Sequence, residues 1–226
     1  MTDLIVTFAV REESGPFRKR FSSRPDVEIV LTGIGKKNAE MTFRRALAGR
    51  LPNLVLTCGF AGALDTKLTV GTVVFAQSGP ANATIAAAQP LSLAAALLAA
   101  GARPATFHCA DRVAVTAEEK RALRQVTGAD AVEMESGVIG ALCREQNIAS
   151  ATVRVISDAA DEDLPLDFNR LLDEGQKLSY GRLALALAKS PVKTGALLRL
   201  QKQTRTAAER LAEVLIRVIE DGGTPP

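Results

Sequence analysis

The chain has no tryptophan, one tyrosine, one histidine and three cysteines among 226 residues. So few rings leave no stacking platform for bases, and a net charge of +3 is scattered among acids instead of gathered into a basic stripe, so nucleic-acid binding is not indicated. The single histidine, His108, rules out a histidine-rich metal site and makes any Ser-His-Asp triad hang on one residue. It falls in the strand-like run Phe107-His108-Cys109, where a packed or surface imidazole is expected. Cys58, Cys109 and Cys143 lie far apart in apolar sequence, with neither a disulfide framework nor metal-ligand spacing, and read as reduced thiols of a cytoplasmic protein. Long hydrophobic runs are missing too. The longest apolar stretch, Ala83 to Ala102, is interrupted by Gln89-Pro90 and is too short on either side to span a bilayer. Asp3 and the lack of a leading basic cluster make MTDLIVTFAV a strand and not a secretory signal.

What the chain does have is apolar material for one sizeable core, 47% hydrophobic residues against 23% charged, expected to form a single domain over residues 1–226. Strand-length apolar runs recur at Leu4 to Val10, Val27 to Thr32, Asn53 to Cys58 and Val73 to Ala76. A basic helix is expected from Lys36 to about Ala48, an alanine-rich one from Pro90 to Gly101, and a short strand at Ala105 to Cys109. Thr116 and Glu119 fit a capping box opening a helix through about Gln125. This alternation predicts an α/β fold with a largely parallel sheet. A long helix is expected from near Asp167, interrupted at Ser190-Pro191. The last helix, roughly Thr194 to Ile219, sets Leu211, Val214, Leu215 and Val218 on one face for packing against the body or a partner subunit. Lys193, Arg199, Lys202 and Arg205 offer peripheral contact with an anionic membrane as the alternative, diluted by Glu209, Glu213 and Glu220.

The most informative stretch is AVEMESGVIGALCREQNIASATVRVISDAAD, residues 131–161. It reads as a strand at Val132 to Met134, a helix at Ser136 to Gln146 and a buried β-branched strand at Thr152 to Ile156, ending at Ser157-Asp158. Ligands of open α/β sheets sit outside the carboxyl ends of strands, so Glu135 and Asp158, each just after one of two neighbouring strands, are expected to share a crevice. Paired carboxylates there suggest bond cleavage at a sugar or an activated carbon. Glu13 follows the first strand in the same way, and each of these acids has the alternative of capping a helix. Gly33-Ile34-Gly35 invites a phosphate-cradle reading, but Asn38 stands where a third glycine is needed and no GKS or GKT follows, so a turn that lets the next helix pack is expected.

The pieces FAVREES, TGIGKKNA, VLTCGFAGALDTKLTVGTVV, AVEMES and VRVISDAAD, taken together and in order, resemble the nucleoside phosphorylase superfamily. The resemblance is strongest to its bacterial 5'-methylthioadenosine/S-adenosylhomocysteine nucleosidases. It implies a three-layer α-β-α sandwich with a mixed, largely parallel twisted sheet, working as a homodimer with no metal or cofactor on a small nucleoside. By position, Asp158 would protonate purine N7, with Ser157 beside it. Glu13 would hold and activate water, and Glu135 would accept hydrogen bonds from the ribose hydroxyls, with Glu133 alongside and Met134 against the sugar.

Asp158 must then carry a proton near neutral pH, and an apolar wall with Asp161 or Glu162 is expected beside it. Phe60 and Ala61 fall in the loop where phosphorylases place a small hydroxyl residue, and Thr57 falls where they place an arginine. Water is therefore favoured over phosphate as nucleophile, with a phosphorylase and a non-catalytic nucleoside-binding protein as the alternatives. The family's base-stacking aromatic corresponds to Val113, leaving backbone recognition of adenine to Ala114. A short segment between residues 77 and 104 would leave the 5' side open, lined by Val10 and Phe168. That shortening, VEMES and the basic tail are also similar to the hopanoid-associated branch, which removes adenine from adenosylhopane.

Overall fold

The computed structural model describes residues 3–22, 24–49, 51–78, 92–171, 175 and 193–220. The strand β1 (Leu4–Phe8) is buried along its whole length, as a continuous Leu-Ile-Val run predicts for a strand covered on both faces. It pairs in parallel with β2 (Val27–Leu31) on one side and β3 (Leu54–Ala63) on the other. The sheet continues through β8 (Ala149–Asp158) and β4 (Val73–Ser78) to the two-residue β5 (Arg103–Pro104), in the order β2-β1-β3-β8-β4-β5. Two more short strands, β6 (Phe107–Cys109) and β7 (Ala131–Glu133), pair with each other in parallel, and β7 pairs antiparallel with the end of β3. The β4–β8 pairing is also antiparallel, so the sheet is mixed and largely parallel.

Side-chain alternation along the central strands sets the layers. Leu4, Val6 and Phe8 of β1, Leu54 and Leu56 of β3, and Ala151, Val153 and Val155 of β8 face one core. The helices α1 (Arg11–Arg20), α3 (Leu93–Ala99) and α7 (Lys193–Glu220) close that face through Phe17, Leu93 and Leu97, and Leu211, Val214, Leu215 and Val218. Ile5 and Val55 point the other way, where α2 (Lys36–Leu47) contributes Ala39 and Phe43, and α5 (Ser136–Glu145) contributes Ile139, Leu142 and Cys143. The result is the three-layer α-β-α sandwich. The apolar stripe of the last helix is fully engaged with the body, which is the packing alternative read from sequence.

The helix α4 (Ala117–Thr127) opens with the expected capping box, Thr116 Oγ1 accepting from Glu119 N and Glu119 accepting from Thr116 N. Gly128, at φ 68°, closes it in the left-handed conformation. The expected helix from near Asp167 is represented by α6 (Phe168–Leu171), and residues 176–192, which include Ser190-Pro191, lie outside the described residues, as do residues 79–91. None of the helices among the described residues is long and apolar enough to cross a membrane.

Two expectations need correction. β3 does not stop at Cys58 but runs on through Gly59-Phe60-Ala61-Gly62, because β8 pairs with it along this whole length. β7 and β8 are not neighbours: β3 lies between them, and Gly62 pairs with Val132 of β7 on one side and with Asp158 of β8 on the other. Glu135 and Asp158 therefore meet across the end of β3, and not by following two adjacent parallel strands.

Leu215 is fully buried against the sheet, so Leu215→Ala is expected to lower the free energy of unfolding by about 2–5 kcal/mol, read by urea titration.

Candidate active site

Glu13 sits in the first turn of α1, where its Oε2 accepts from the backbone amides of Ala9 (2.8 Å) and Val10 (3.1 Å). That much is helix capping, the ordinary role open to it. Its Oε1, however, accepts from Phe60 N at 2.9 Å, tying the start of α1 to the middle of β3. Burial, the largest influence, pushes its carboxyl up to about 7; Arg154 draws it down and Glu135 pushes it further up. Gly59 makes the approach sterically feasible. A Cβ at this residue, whose φ is 148°, would lie 2.6 Å from both Glu13 Oε1 and Arg154 Nη1.

Arg154 was not singled out from sequence. It stands in the middle of β8, 1% exposed, opposite Gly59, and its Nη2 reaches Glu133 Oε2 at 2.6 Å and Glu135 Oε2 at 3.3 Å. Its Nη1 donates weakly to Cys58 O at 3.5 Å, and its Nε is buried without a partner. A signal was available: an arginine inside the β-branched run ATVRVISD cannot be buried unpaired, and EMES, with two acids in an otherwise apolar stretch, offers it partners.

Those acids divide their work. Glu133 also accepts from the amides of Glu135 (3.0 Å) and Ser136 (2.8 Å) and from Ser136 Oγ (2.6 Å). Burial alone would raise Glu133, but Arg154 and these donors outweigh it and hold the carboxyl below its ordinary value. Glu135, the residue before α5, is raised, by burial first and also by Glu133, against the pull of Arg154. Its Oε1 accepts from Gly35 N at 2.9 Å, so the Gly33-Ile34-Gly35 turn delivers an amide to a carboxylate as well as starting α2.

Asp158 is the last residue of β8. Its Oδ1 accepts from Ser157 Oγ at 2.6 Å, and its Oδ2 lies 2.6 Å from Lys120 Nζ. The acids expected beside it are not there: Asp161 is exposed, and Glu162 contributes only its backbone carbonyl, to Lys120. A buried lysine from α4 takes their place, because the chain between β8 and α6 folds back over α4. Gly62 leaves room for Asp158, whose Oδ2 would be 3.0 Å from a Cβ there.

One cavity of about 840 Å³ gathers these groups. Glu13, Glu133, Glu135, Ser157 and Asp158 line it together with Met134, Phe60, Ala61, Val113, Ala114, Val10 and Phe168, so all the residues expected to catalyse or to bind substrate line the same space. His108 is not among its lining residues. Val113 is clamped at both backbone groups by Asn169, Val113 N donating to Oδ1 at 2.9 Å and Nδ2 donating to Val113 O at 3.0 Å. The next residue, Ala114, is buried, and its backbone amide and carbonyl have no partner among the described residues. Unpaired buried backbone groups beside a cavity suit a ligand carrying a donor and an acceptor on one edge. Ile34, Met41 and Leu164 add apolar surface to its lining. Among the described residues no cluster of three potential metal ligands exists.

The family model described as the phosphorylase superfamily matches residues 10–220. Among solved structures, the chain is similar to 5'-methylthioadenosine/S-adenosylhomocysteine nucleosidase from Campylobacter jejuni, with 17% identity over 98% of this chain and 100% of that one, at a TM-score of 0.67. The enzyme of the same name from Colwellia psychrerythraea, solved with adenine, matches at 18% identity over 97% of this chain and 94% of that one, TM-score 0.66. Futalosine hydrolase of Helicobacter pylori matches at 19% identity over 95% and 97%, TM-score 0.61. At these identities the likeness establishes the fold.

The crowding at Gly59 gives a paired prediction. Gly59→Ala is expected to cost roughly 1–3 kcal/mol of stability through forced displacement of buried charged groups. Gly15→Ala, in the interior of α1 with nothing within 4 Å of its added Cβ, is expected to be neutral or to stabilise by about 0.5–1 kcal/mol. Denaturant unfolding of the two variants reads the difference.

Proposed function

From a chain that belongs to the phosphorylase superfamily and collects Glu13, Glu135 and Asp158 around one cavity, we propose an N-glycosyl hydrolase that releases adenine from a 5'-substituted adenosine. The observation that carries the reading is that two differently held carboxyls line one cavity. Glu13, raised to about 7 by burial, is anchored among backbone amides, and Asp158, at the end of β8, lines the same cavity paired with Lys120.

The adenine edge pairs with the unpartnered amide and carbonyl of Ala114, which brings N7 to Asp158. Protonation there makes adenine a neutral leaving group. Glu135 accepts from the ribose hydroxyls beside Met134. Departure of the base leaves an oxocarbenium-like sugar, stabilised electrostatically by the buried carboxylates, while Glu13 removes a proton from the attacking water. Phosphate is disfavoured as nucleophile. Thr57 stands where phosphorylases carry an arginine, the buried guanidinium of Arg154 is engaged with Glu133 and Glu135, and Phe60 supplies no hydroxyl. The apolar wall of Val10, Ile34, Met41, Leu164 and Phe168 suits an uncharged, apolar 5'-substituent, from methylthio to a larger hydrocarbon.

Incubation with methylthioadenosine, S-adenosylhomocysteine, adenosine and inosine in phosphate-free buffer, followed by chromatography for free base, tests the proposal. Adenine release without phosphate is expected. Release only with added phosphate would make the chain a phosphorylase, and ligand-dependent stabilisation without release would make it a binding protein. Asp158→Asn and Glu13→Gln should each lower kcat by about 10²- to 10⁴-fold with melting intact. Glu13 acts as a base and titrates near 7, so the rate should plateau above that pH and fall by about tenfold per pH unit below it. That acid limb should vanish in Glu13→Gln.

A further inference from the structure

Lys120 has no part in the mechanism above, yet it is the one charged group paired with its acid among the described residues. Its side chain is 0% exposed, and Nζ lies 2.6 Å from Asp158 Oδ2, 2.7 Å from Ala159 O and 2.8 Å from Glu162 O. Three acceptors match the three N–H donors of an ammonium group, so the pocket is built for a lysine and leaves it no other orientation. A buried ion pair is a poor way to gain stability, since desolvating both charges offsets their attraction. Its presence against the cavity therefore calls for another role.

The hydrogen bonding around Asp158 suggests which. Lys120 Nζ donates to Asp158 Oδ2, while Ser157 Oγ, beside Oδ1, has a single hydrogen that also reaches Ala61 O at 3.3 Å; the lysine therefore sets Asp158 as an acceptor, whereas delivery of a proton to purine N7 requires a donor. We propose that Lys120 is the positioning residue that supplies this proton through Asp158, an inference that rests on the nucleosidase reading. The Nζ–H bond breaks as an O–H bond forms at Asp158 Oδ2. The carboxyl gives up a proton to N7 as the C1'–N9 bond breaks, and the bonding electron pair enters the adenine ring. Water bonds to C1' and loses its proton to Glu13. After products leave, Glu13 releases its proton to solvent, and a proton from solvent enters at Asp158, which lines the cavity, and passes from Oδ2 to the neutral Lys120, so both groups are reset. Lys120 never touches the substrate.

The test compares the wild type, Lys120→Met, Asp158→Asn and the double variant on two substrates. Methylthioadenosine needs a protonated leaving group, and p-nitrophenyl β-D-riboside does not, since nitrophenolate departs as an anion. Lys120→Met is expected to lower kcat on methylthioadenosine by about 10²-fold or more and to change nitrophenolate release by less than about threefold. The double variant should be no slower than Asp158→Asn alone, because two residues acting as one unit do not have multiplying effects. Unchanged methylthioadenosine hydrolysis in Lys120→Met, an equal fall on both substrates, or losses that multiply in the double variant would each overturn the relay. Should Lys120→Met fail to fold, the double variant, which removes charge and countercharge together, carries the comparison with Asp158→Asn. A wild-type chain that releases no base overturns the nucleosidase reading and the relay together; an active wild type with an unimpaired Lys120→Met overturns the relay alone.

Discussion

One guanidinium organises the cavity. Arg154 lies in the centre of the sheet, where an unpaired charge would cost several kcal/mol, and it is tolerated because Glu133 reaches it from the end of β7, Glu135 from the start of α5, and Glu13 approaches from α1. Three acids around one cation cannot all be equally satisfied. Glu133, with the shortest contact and three further donors, is held below its ordinary value, whereas burial, only partly offset by Arg154, raises Glu13 and Glu135. Burial thus leaves Glu13 poised near neutral pH while it remains anchored to three backbone amides. The same cluster joins β1, β3, β7 and β8, so the geometry that tunes the acids also holds the strands in register at the end where the cavity opens.

Glycines in β3 make this arrangement sterically feasible. Strand pairing continues through Gly59 and Gly62, which keeps the backbone rigid, while the missing side chains leave space taken by Glu13 and Arg154 at the first and by Asp158 and Val132 at the second. A loop at these positions, as read from sequence, would place the same groups less firmly. The extended pairing with β8 explains how acids from distant stretches of chain stand at fixed separations around one cavity.

The layers and most elements were legible because they follow from hydrophobic period alone: the buried run at Leu4, the β-branched run at Thr152, the stripe Leu211-Val214-Leu215-Val218 and the capping box at Thr116 all fold as their patterns dictate. The acids Glu13, Glu135 and Asp158 were visible because each stands at a strand end. What escaped were cations that act through long-range contacts. Lys120 occupies an ordinary helical position, and nothing local distinguishes it from the solvated lysines; only the return of residues 159–162 over α4 buries it. The surroundings of Asp158 were misjudged for the same reason: neighbours in sequence point to Asp161 and Glu162, but the neighbour in space is Lys120. The path of β7 was misread because a helix between two strands suggests parallel adjacency, and here β3 intervenes.

The central claim is that a purine nucleoside lies between Asp158 and Glu13. A crystal structure with a non-hydrolysable adenosine analogue tests it most directly. The account predicts N7 within hydrogen-bonding distance of the Asp158 carboxyl, the ribose hydroxyls on Glu135, and C1' facing Glu13. An analogue bound away from these carboxyls, or with its sugar turned so that C1' points away from Glu13, would contradict it.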